Sequence, residues 1–308
     1  MSPANGGELT SLQVKRDGRW VELIYRARDY TPTQDWAGRA PVLWPATGRT
    51  LEPNAAGGFS SSWTFAGERR EIPIHGFVRD RPWVVERRSS GEVVLSLADD
   101  SVSRRMYPFG FRIRCKYRVV PAGLEMNYEV RASAGNRAEM PFSIGNHITF
   151  RIPLVPGSPR GDLTVATPAT MILSLDESGR PTGAAVPDNS FATGRPLSDL
   201  PKRKAISLSG YKGDPSLRIG DPSGLTVEIA HKASQAPSGT PVSFNLWGDM
   251  AEGFFSPQPW VGRQNSLVTG DGLIKLKPGK SFRWTVMISV SDTEASSSPS
   301  SHAGAHND

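Results

Sequence analysis

Apolar and polar residues alternate with a period of two along much of the chain. The alternation is strict over residues 124–132 and recurs, mixed with short apolar runs, over residues 93–97 and 111–119. This period is typical of β-strands that bury one face and expose the other. Turn-forming residues occupy positions 120–123, so segments 111–119 and 124–132 are predicted to form a β-hairpin.

More strand-length segments follow at 217–219, 225–230, 242–247 and 282–290, and no stretch keeps a helical period beyond about one turn. The 308 residues include 31 glycines and 26 prolines, which are poor residues for helix interiors. Many short strands separated by turn signals are typical of a β-sandwich or barrel. The sequence therefore predicts an all-β fold.

The chain shows no internal repeat and no linker that would divide it. Residues 155–200 are rich in Gly, Pro, Ser and Asp, which predicts long loops that contain short strands. We therefore expect one β-sandwich domain over residues 1–292. Residues 293–308 lack any apolar pattern and are predicted to form a disordered tail.

Charge and composition narrow the classes of function. The net charge is +6, but the basic residues come as scattered doublets between acidic ones, so we expect no nucleic-acid partner. The chain has no apolar run long enough to cross a membrane, and its start lacks the pattern of a signal peptide, so we expect a cytoplasmic protein. A single cysteine excludes an internal disulfide, and no ligand spacing predicts a metal site.

Three histidines lie outside the tail. His75 and His147 each stand among glycines and aromatic residues, and a glycine allows a ligand or another backbone to approach closely. Either histidine alone is more typical of a structural residue, whereas two in similar surroundings favour a site. His231 follows a strand and is expected at the surface.

The order of several segments resembles the aldose 1-epimerases, or mutarotases, of the galactose mutarotase-like superfamily. The resemblance rests on the RAPVLWPATGR segment at 39–49, the HGFVRDRPW segment at 75–83, GNHITF at 145–150 and LKPGKSF at 276–282. It spans nearly the whole predicted domain. It implies a supersandwich of large antiparallel sheets, no cofactor, and a small-molecule carbohydrate as the partner.

The resemblance also implies chemistry at the anomeric carbon of a sugar, where a base takes the proton of the anomeric hydroxyl and a histidine protonates the ring oxygen. By position, His147 would be the acid and His75 would bind on the side of the ring oxygen. Seven other residues are expected to bind the substrate: Arg49, Arg79, Trp83, Asn146, Trp247, Asp249 and Trp260.

One departure from the family concerns the base. The family carries it in a Glu-Pro-Trp segment, and the matching stretch here has Gln258 in place of the glutamate. An amide keeps a similar shape but cannot accept a proton at useful pH. Asp249 and Glu252 are close in sequence and could substitute, although both are expected to be acidic residues of a surface loop.

Three functions therefore stay open at this point. The first is an aldose 1-epimerase, and the second is a carbohydrate-binding protein that has lost its base. The third is another reaction in the same cleft, such as mutarotation of a phosphosugar, because Arg49, Arg79, Arg81 and Arg263 suit an anionic sugar. The sequence leaves the oligomeric state open.

Overall fold

A computed structural model describes residues 1–26, 38–176 and 179–293 of the chain. In chain order the strands of the first half are β1 Gln13–Arg16, β2 Arg19–Glu22, β3 Val42–Leu43, β4 Glu52–Pro53, β5 Phe59–Ser60, β6 Ser62–Phe65, β7 Glu68–Glu71, β8 Val84–Arg88, β9 Glu92–Ala98, β10 Phe111–Val120, β11 Gly123–Ala132, β12 Met140–Phe142, β13 Ile144–Asn146 and β14 Phe150–Arg151. Those of the second half are β15 Thr164–Ala166, β16 Met171–Leu175, β17 Pro181–Pro187, β18 Arg195–Pro196, β19 Ile206–Ser209, β20 Ser216–Gly220, β21 Leu225–Lys232, β22 Val242–Asp249, β23 Phe254–Val261, β24 Ile274–Leu276 and β25 Ser281–Asp292. Two short helices, α1 Ser101–Met106 and α2 Ser266–Thr269, and three 3-10 turns, Val78–Asp80, Arg160–Asp162 and Leu197–Asp199, complete the described elements.

Two large antiparallel sheets dominate the fold. The first sheet has nine strands in the order β18-β15-β20-β21-β25-β11-β10-β9-β8. The second sheet has eight strands, seven of them in the order β17-β16-β19-β22-β23-β13-β3, and β14 also pairs with β23. This architecture confirms the all-β supersandwich that the sequence and its resemblance predicted.

The central hairpin of the first sheet shows how the sequence pattern becomes a buried face. β10 and β11 pair antiparallel from Phe111 opposite Ala132 to Val120 opposite Gly123, as the turn residues predicted. Burial alternates along both strands, because successive side chains point to opposite faces of a sheet. The apolar set faces inward, and the arginines and glutamates between face solvent.

Side chains from the two sheets meet in one continuous core. The Nδ2 of Asn146, on β13 of the second sheet, donates a hydrogen bond of 2.8 Å to the hydroxyl of Tyr128 on β11 of the first. The ring of His231, on β21, packs edge to face against Phe244 of β22 with 4.8 Å between centroids. The prediction of a surface position for His231 is wrong: its side chain is 2% exposed, because it lies on the inner face of β21, which packs against the second sheet.

Residues 155–200 combine loops with the short strands β15 to β18, as their composition predicted. The predicted tail lies outside the described residues except for Thr293. None of the helices in the described part of the chain is both long and apolar enough to cross a membrane.

Candidate sugar-binding cleft

The floor of the candidate site is the pair of neighbouring strands β22 and β23. Their register places Asn245 opposite Gln258 and Trp247 opposite Ser256. Because side chains alternate along a strand, these four residues share one face, and Trp260 lies two residues beyond Gln258 on that face. The opposite face supplies the apolar core. The sequence therefore folds into a strand pair that is apolar on one side and polar and aromatic on the other.

Three buried polar atoms on this floor have no hydrogen-bond partner among the residues that the structure describes. They are the Oδ1 of Asn245, the Oε1 of Gln258 and the Nε1 of Trp260. Each of these side chains is 5% exposed or less. Leaving a buried polar atom unpaired costs about 1–3 kcal/mol, so three on one patch indicate a surface shaped for a polar ligand. A small cavity of about 90 Å³, lined by Asn245, Trp260 and Ser243 among others, opens beside the floor.

Four aromatic rings form a row along the cleft. Trp247 contacts the ring of His147 with 5.7 Å between centroids, and His147 contacts His75 at 5.4 Å. His75 in turn contacts Trp260 at 6.1 Å. Trp247 and Trp260 lie on either side of Gln258 on the floor. The structure therefore brings five predicted residues into one site: His75, His147, Gln258, Trp247 and Trp260.

A close backbone contact fixes the ring of His75. The Gly48 amide donates to the Nδ1 of His75 at 3.0 Å, and the His75 amide donates to the Gly48 carbonyl at 2.8 Å. His75 has a φ of 65°, in the left-handed region that is unusual for a residue with a side chain. Such a conformation persists only where its surroundings hold it, and it is common at functional sites.

The hydrogen bond from Gly48 also decides the tautomer of His75. Because Nδ1 accepts a hydrogen bond from the Gly48 amide, a neutral ring must carry its hydrogen on Nε2. Burial lowers the pKa of His75 well below its ordinary value, and the nearby charges of His147, Arg79 and Arg49 lower it further. The ring is therefore a neutral donor at physiological pH.

His147 follows β13 and is held over the floor. Its Nδ1 lies 3.4 Å from the Oγ1 of Thr149, and that hydroxyl lies 2.8 Å from the Oγ of Ser256. Burial lowers the pKa of His147 to about 3, although a hydrogen bond to its own backbone carbonyl acts in the opposite direction. Both histidines are thus uncharged in the site.

Two arginines lie near the histidine pair. Arg49 follows Gly48 directly and is exposed. Arg79 is on the 3-10 turn after His75, and its Nε lies 3.6 Å from a carboxylate oxygen of Asp80. The positive charge of Arg79 acts on both rings, since it lowers the pKa of His75 and that of His147.

Two expected substrate-binding residues lie elsewhere. Trp83 is 4% exposed in the core and donates from its Nε1 to the carbonyl of Val78 at 3.0 Å. Asn146 points between the sheets and bonds Tyr128. Its neighbour Gly145 pairs with Trp260 and lies on the cleft face of β13. Because successive residues of a strand face opposite sides, Asn146 lies on the other face. The structure does not bring either side chain to the floor of the cleft.

Asp249 ends β22, away from Gln258, and Glu252 lies in the exposed turn that follows, as expected. The prediction of a loop-surface position is wrong for Asp249, which ends the strand and is 1% exposed. Its carboxylate accepts from the Nε of Arg203 at 2.9 Å and pairs with the Nζ of Lys202 at 3.4 Å. Burial alone would raise the pKa of Asp249, but these partners and the Glu252 amide outweigh it and hold the pKa below its ordinary value.

Sequence reasoning missed Asn245. The residue lies in a segment that was assigned to a strand, and its polar side chain interrupts an otherwise apolar run. Period-two alternation could have placed Asn245 on the same face as Trp247. Its position opposite Gln258 depends on the register between β22 and β23, which the sequence does not reveal.

Glycine at position 145 makes room for Trp260. A Cβ there would lie 2.6 Å from the Cδ1 of the indole and 3.1 Å from the Cγ2 of Thr47. The indole therefore lies directly against the backbone of β13. Among the described residues, no three His, Cys, Asp or Glu side chains gather as a metal site would require.

The two-sheet architecture is shared with solved structures of galactose mutarotase-like proteins. A galactose mutarotase related enzyme from Lactobacillus acidophilus superposes with a TM-score of 0.76 at 22% identity, covering 94% of this chain and 93% of that one. A galactose mutarotase-like protein from Lactobacillus casei superposes with a TM-score of 0.73 at 18% identity, covering 93% and 95%. The profile of the aldose 1-epimerase family matches residues 3–289, so the chain belongs to that family. Protein LacX of Lactococcus lactis is 24% identical over 286 residues, which cover 89% of this chain and 87% of that protein.

Proposed function

We propose that the cleft binds an aldose in its ring form and that binding, rather than rapid anomer interconversion, is its main activity. The observation that carries the proposal is the patch of unpartnered buried atoms on Asn245, Gln258 and Trp260 beside the two histidines. A sugar offers hydroxyl groups that both donate and accept, and its C–H faces pack on aromatic rings. Binding would satisfy polar atoms that the described part of the protein leaves unpaired.

Anomer interconversion would lack a general base at the position of Gln258. The amide cannot take a proton from the anomeric hydroxyl, and Asp249 is four residues along β22 from Asn245, which is about 13 Å of extended strand. The carboxylate of Asp249 is also held by Arg203 and Lys202. Loss of a general base typically slows a reaction by ~10²–10⁴-fold.

A second candidate function is slow aldose 1-epimerisation with a histidine as the proton acceptor. The contact between two neutral imidazoles, with 5.4 Å between their centroids, favours it. One ring, His75, presents an N–H, and the other could take up a proton. A pKa of about 3 for His147 makes it a weak base, so the expected acceleration is small.

The Gln258→Glu variant separates the two functions. Polarimetry would follow freshly dissolved α-glucose and α-galactose with the wild type, with Gln258→Glu, and with Asn245→Asp as a matched control. Asn245→Asp places a carboxylate across the same strand pair. If the proposal holds, the wild type stays near the buffer rate, Gln258→Glu gains ~10²-fold or more, and the control gains nothing comparable.

Calorimetry on the same proteins tests binding directly. The proposal expects the wild type to bind at least one aldose, and it fails if neither neutral nor charged sugars bind at millimolar concentration. A wild-type rate clearly above the buffer rate and equal to that of Gln258→Glu would instead establish the second candidate. Both measurements need a circular dichroism spectrum that shows the variants fold like the wild type.

A further inference from the structure

Two buried hydroxyl groups lie next to the ring of His147. The Oγ1 of Thr149 is 3.4 Å from the Nδ1 of His147 and 2.8 Å from the Oγ of Ser256. Both hydroxyl-bearing side chains are fully buried, and His147 is 3% exposed. Thr149 belongs to the segment that joins β13 to β14, whereas Ser256 lies on β23 opposite Trp247. This hydroxyl pair therefore connects the segment that carries His147 to the floor of the cleft.

The hydrogen bonds of the hydroxyl pair assign a hydrogen to His147. A threonine hydroxyl has one hydrogen, and that of Thr149 is donated to the backbone carbonyl of His147 at 3.2 Å. The hydrogen between the two hydroxyls therefore comes from Ser256. The oxygen of Thr149 is left as an acceptor with two lone pairs, so its contact with His147 requires a hydrogen on Nδ1.

A second hydrogen bond of His147 requires the same tautomer. Its side chain bonds its own backbone carbonyl, which can only accept. Nδ1 is the ring nitrogen nearer to the backbone of the same residue, so the hydrogen must be there. Burial lowers the pKa of His147 to about 3, and the ring is neutral at physiological pH. A neutral ring with its hydrogen on Nδ1 has a lone pair on Nε2 and accepts there.

The neighbouring ring of His75 has the opposite tautomer. The Gly48 amide donates to its Nδ1 at 3.0 Å, so its hydrogen is on Nε2. The rings of His75 and His147 meet edge to face, with 5.4 Å between centroids and 83° between planes. One ring of the pair thus offers an N–H through Nε2 and the other offers a lone pair. The difference arises from the partners of Nδ1, which are an amide in one case and a hydroxyl in the other.

We propose that Thr149 and Ser256 are positioning residues that hold His147 in the tautomer with its hydrogen on Nδ1, which makes His147 the hydrogen-bond acceptor of the histidine pair. The inference rests on the proposed sugar-binding function and assigns a role in that site to two residues outside the predicted set. It also changes the role of His147, for which the resemblance implied an acid, because Nε2 has no hydrogen to give. His75 remains the donor.

NMR of the full-length protein with nitrogen-15 in its histidines reads both tautomers directly, because protonated and unprotonated ring nitrogens resonate in separate ranges. Spectra are recorded at neutral pH without sugar, and His147→Gln identifies the signals of that ring by their loss. We expect the hydrogen on Nδ1 in His147 and on Nε2 in His75, so the second ring is an internal reference of the opposite kind. A hydrogen on Nε2 of His147 in the wild type would overturn the inference without the need for any other variant.

Variants of the hydroxyl pair test the positioning role. Thr149→Val keeps a branched side chain but removes the hydroxyl, and it should shift the ratio of the two His147 tautomers towards Nε2–H by roughly fivefold, as the loss of one hydrogen bond would. Ser256→Ala should shift the ratio in the same direction and carries the test if the first variant does not fold. Thr149→Ser restores the hydroxyl and should restore the wild-type ratio.

Thr167→Val is the matched control. Thr167 is also buried, at 3% exposed, and its hydroxyl lies 3.1 Å from that of Tyr211. Tyr211 packs against Phe244, which belongs to the core rather than to the cleft. The control should therefore leave the tautomers of His147 unchanged. A control that shifts them as much as Thr149→Val, or a ratio that neither Thr149→Val nor Ser256→Ala changes, would overturn the inference.

Calorimetry with aldoses separates this inference from the proposed function. For a sugar that the wild type binds, Thr149→Val should weaken binding roughly fivefold and Thr149→Ser should regain it. Unchanged affinity beside a shifted tautomer would refute the acceptor role of His147. The spectra are recorded without sugar and do not depend on binding. If they show the expected tautomers while no aldose binds the wild type, the proposed function fails and the positioning role of the hydroxyl pair stands.

Discussion

Acid should destabilise the folded protein through its buried histidines, and His231 gives the clearest case. The Nε1 of Trp284 donates to its Nδ1 at 3.1 Å inside the core, where the side chain is 2% exposed. Burial lowers the pKa of His231 from 6.5 to about 3, although a hydrogen bond with the backbone of Ser243 partly opposes this. The unfolded chain therefore binds a proton below pH 6.5 that the folded chain excludes. Stability from this group is complete above that pH and falls as the pH drops towards 3.

The size of the effect follows from the two pKa values. Between pH 7.5 and pH 5.0, a histidine shifted from 6.5 to about 3 lowers the free energy of unfolding by about 2 kcal/mol. His147 has the same values and adds a similar loss, and His75 acts in the same direction. Glu8 acts oppositely, because desolvation raises its pKa to about 7 against the pull of Arg39, so folding favours its protonated form.

The assay is urea unfolding of the wild type and of His231→Gln at both pH values. Glutamine keeps an acceptor for Trp284 but does not titrate. We expect the loss of stability between pH 7.5 and pH 5.0 to be smaller in the variant by about 2 kcal/mol. The comparison between the two proteins cancels Glu8 and the other titrating groups. An equal loss in both proteins would refute the assignment of His231 as a buried neutral ring.

Two other substitutions test the floor of the cleft. Asn245→Leu removes an unpaired buried oxygen, so we expect the free energy of unfolding measured in urea to rise by about 1 kcal/mol while sugar affinity measured by calorimetry falls. A less stable variant that still binds sugar would contradict this role. Asp249→Asn should leave the polarimetric rate of any residual anomer interconversion unchanged, because the carboxylate is bound to Arg203 and Lys202 at the end of the strand. A marked loss of rate would identify Asp249 as the base.

The candidate site was partly visible in the sequence. His75, His147, Gln258, Trp247 and Trp260 are all brought together by the structure. These residues stand in sequence segments that are rich in glycine, proline and aromatic residues. Such segments can be recognised in a sequence because a cleft needs tight turns and close backbone contacts. The sequence could not show on which face of a strand each side chain would lie.

Asn146 and Asn245 show what local motifs miss. Asn146 stands beside His147 in the sequence, yet the pleat of β13 turns it towards Tyr128 between the sheets. Asn245 is 13 residues from Gln258 along the chain but lies opposite it in the register of β22 and β23. The same limit explains His231, whose burial depends on the packing of its face of β21 against Phe244 of the second sheet.

The sequence alone determined the class of fold and the presence of an amide, rather than a carboxylate, at position 258. Period-two alternation and the excess of Gly and Pro specify strands, since these patterns act through local backbone preferences and through burial of one face. The amide at Gln258 is likewise a fact of composition. Only the tertiary structure decided that Asp249 is bound by Arg203 and Lys202, and that Trp260 and Asn245 keep polar atoms unpaired among the described residues. Those properties depend on register and on contacts between residues far apart in the chain, which no local pattern encodes.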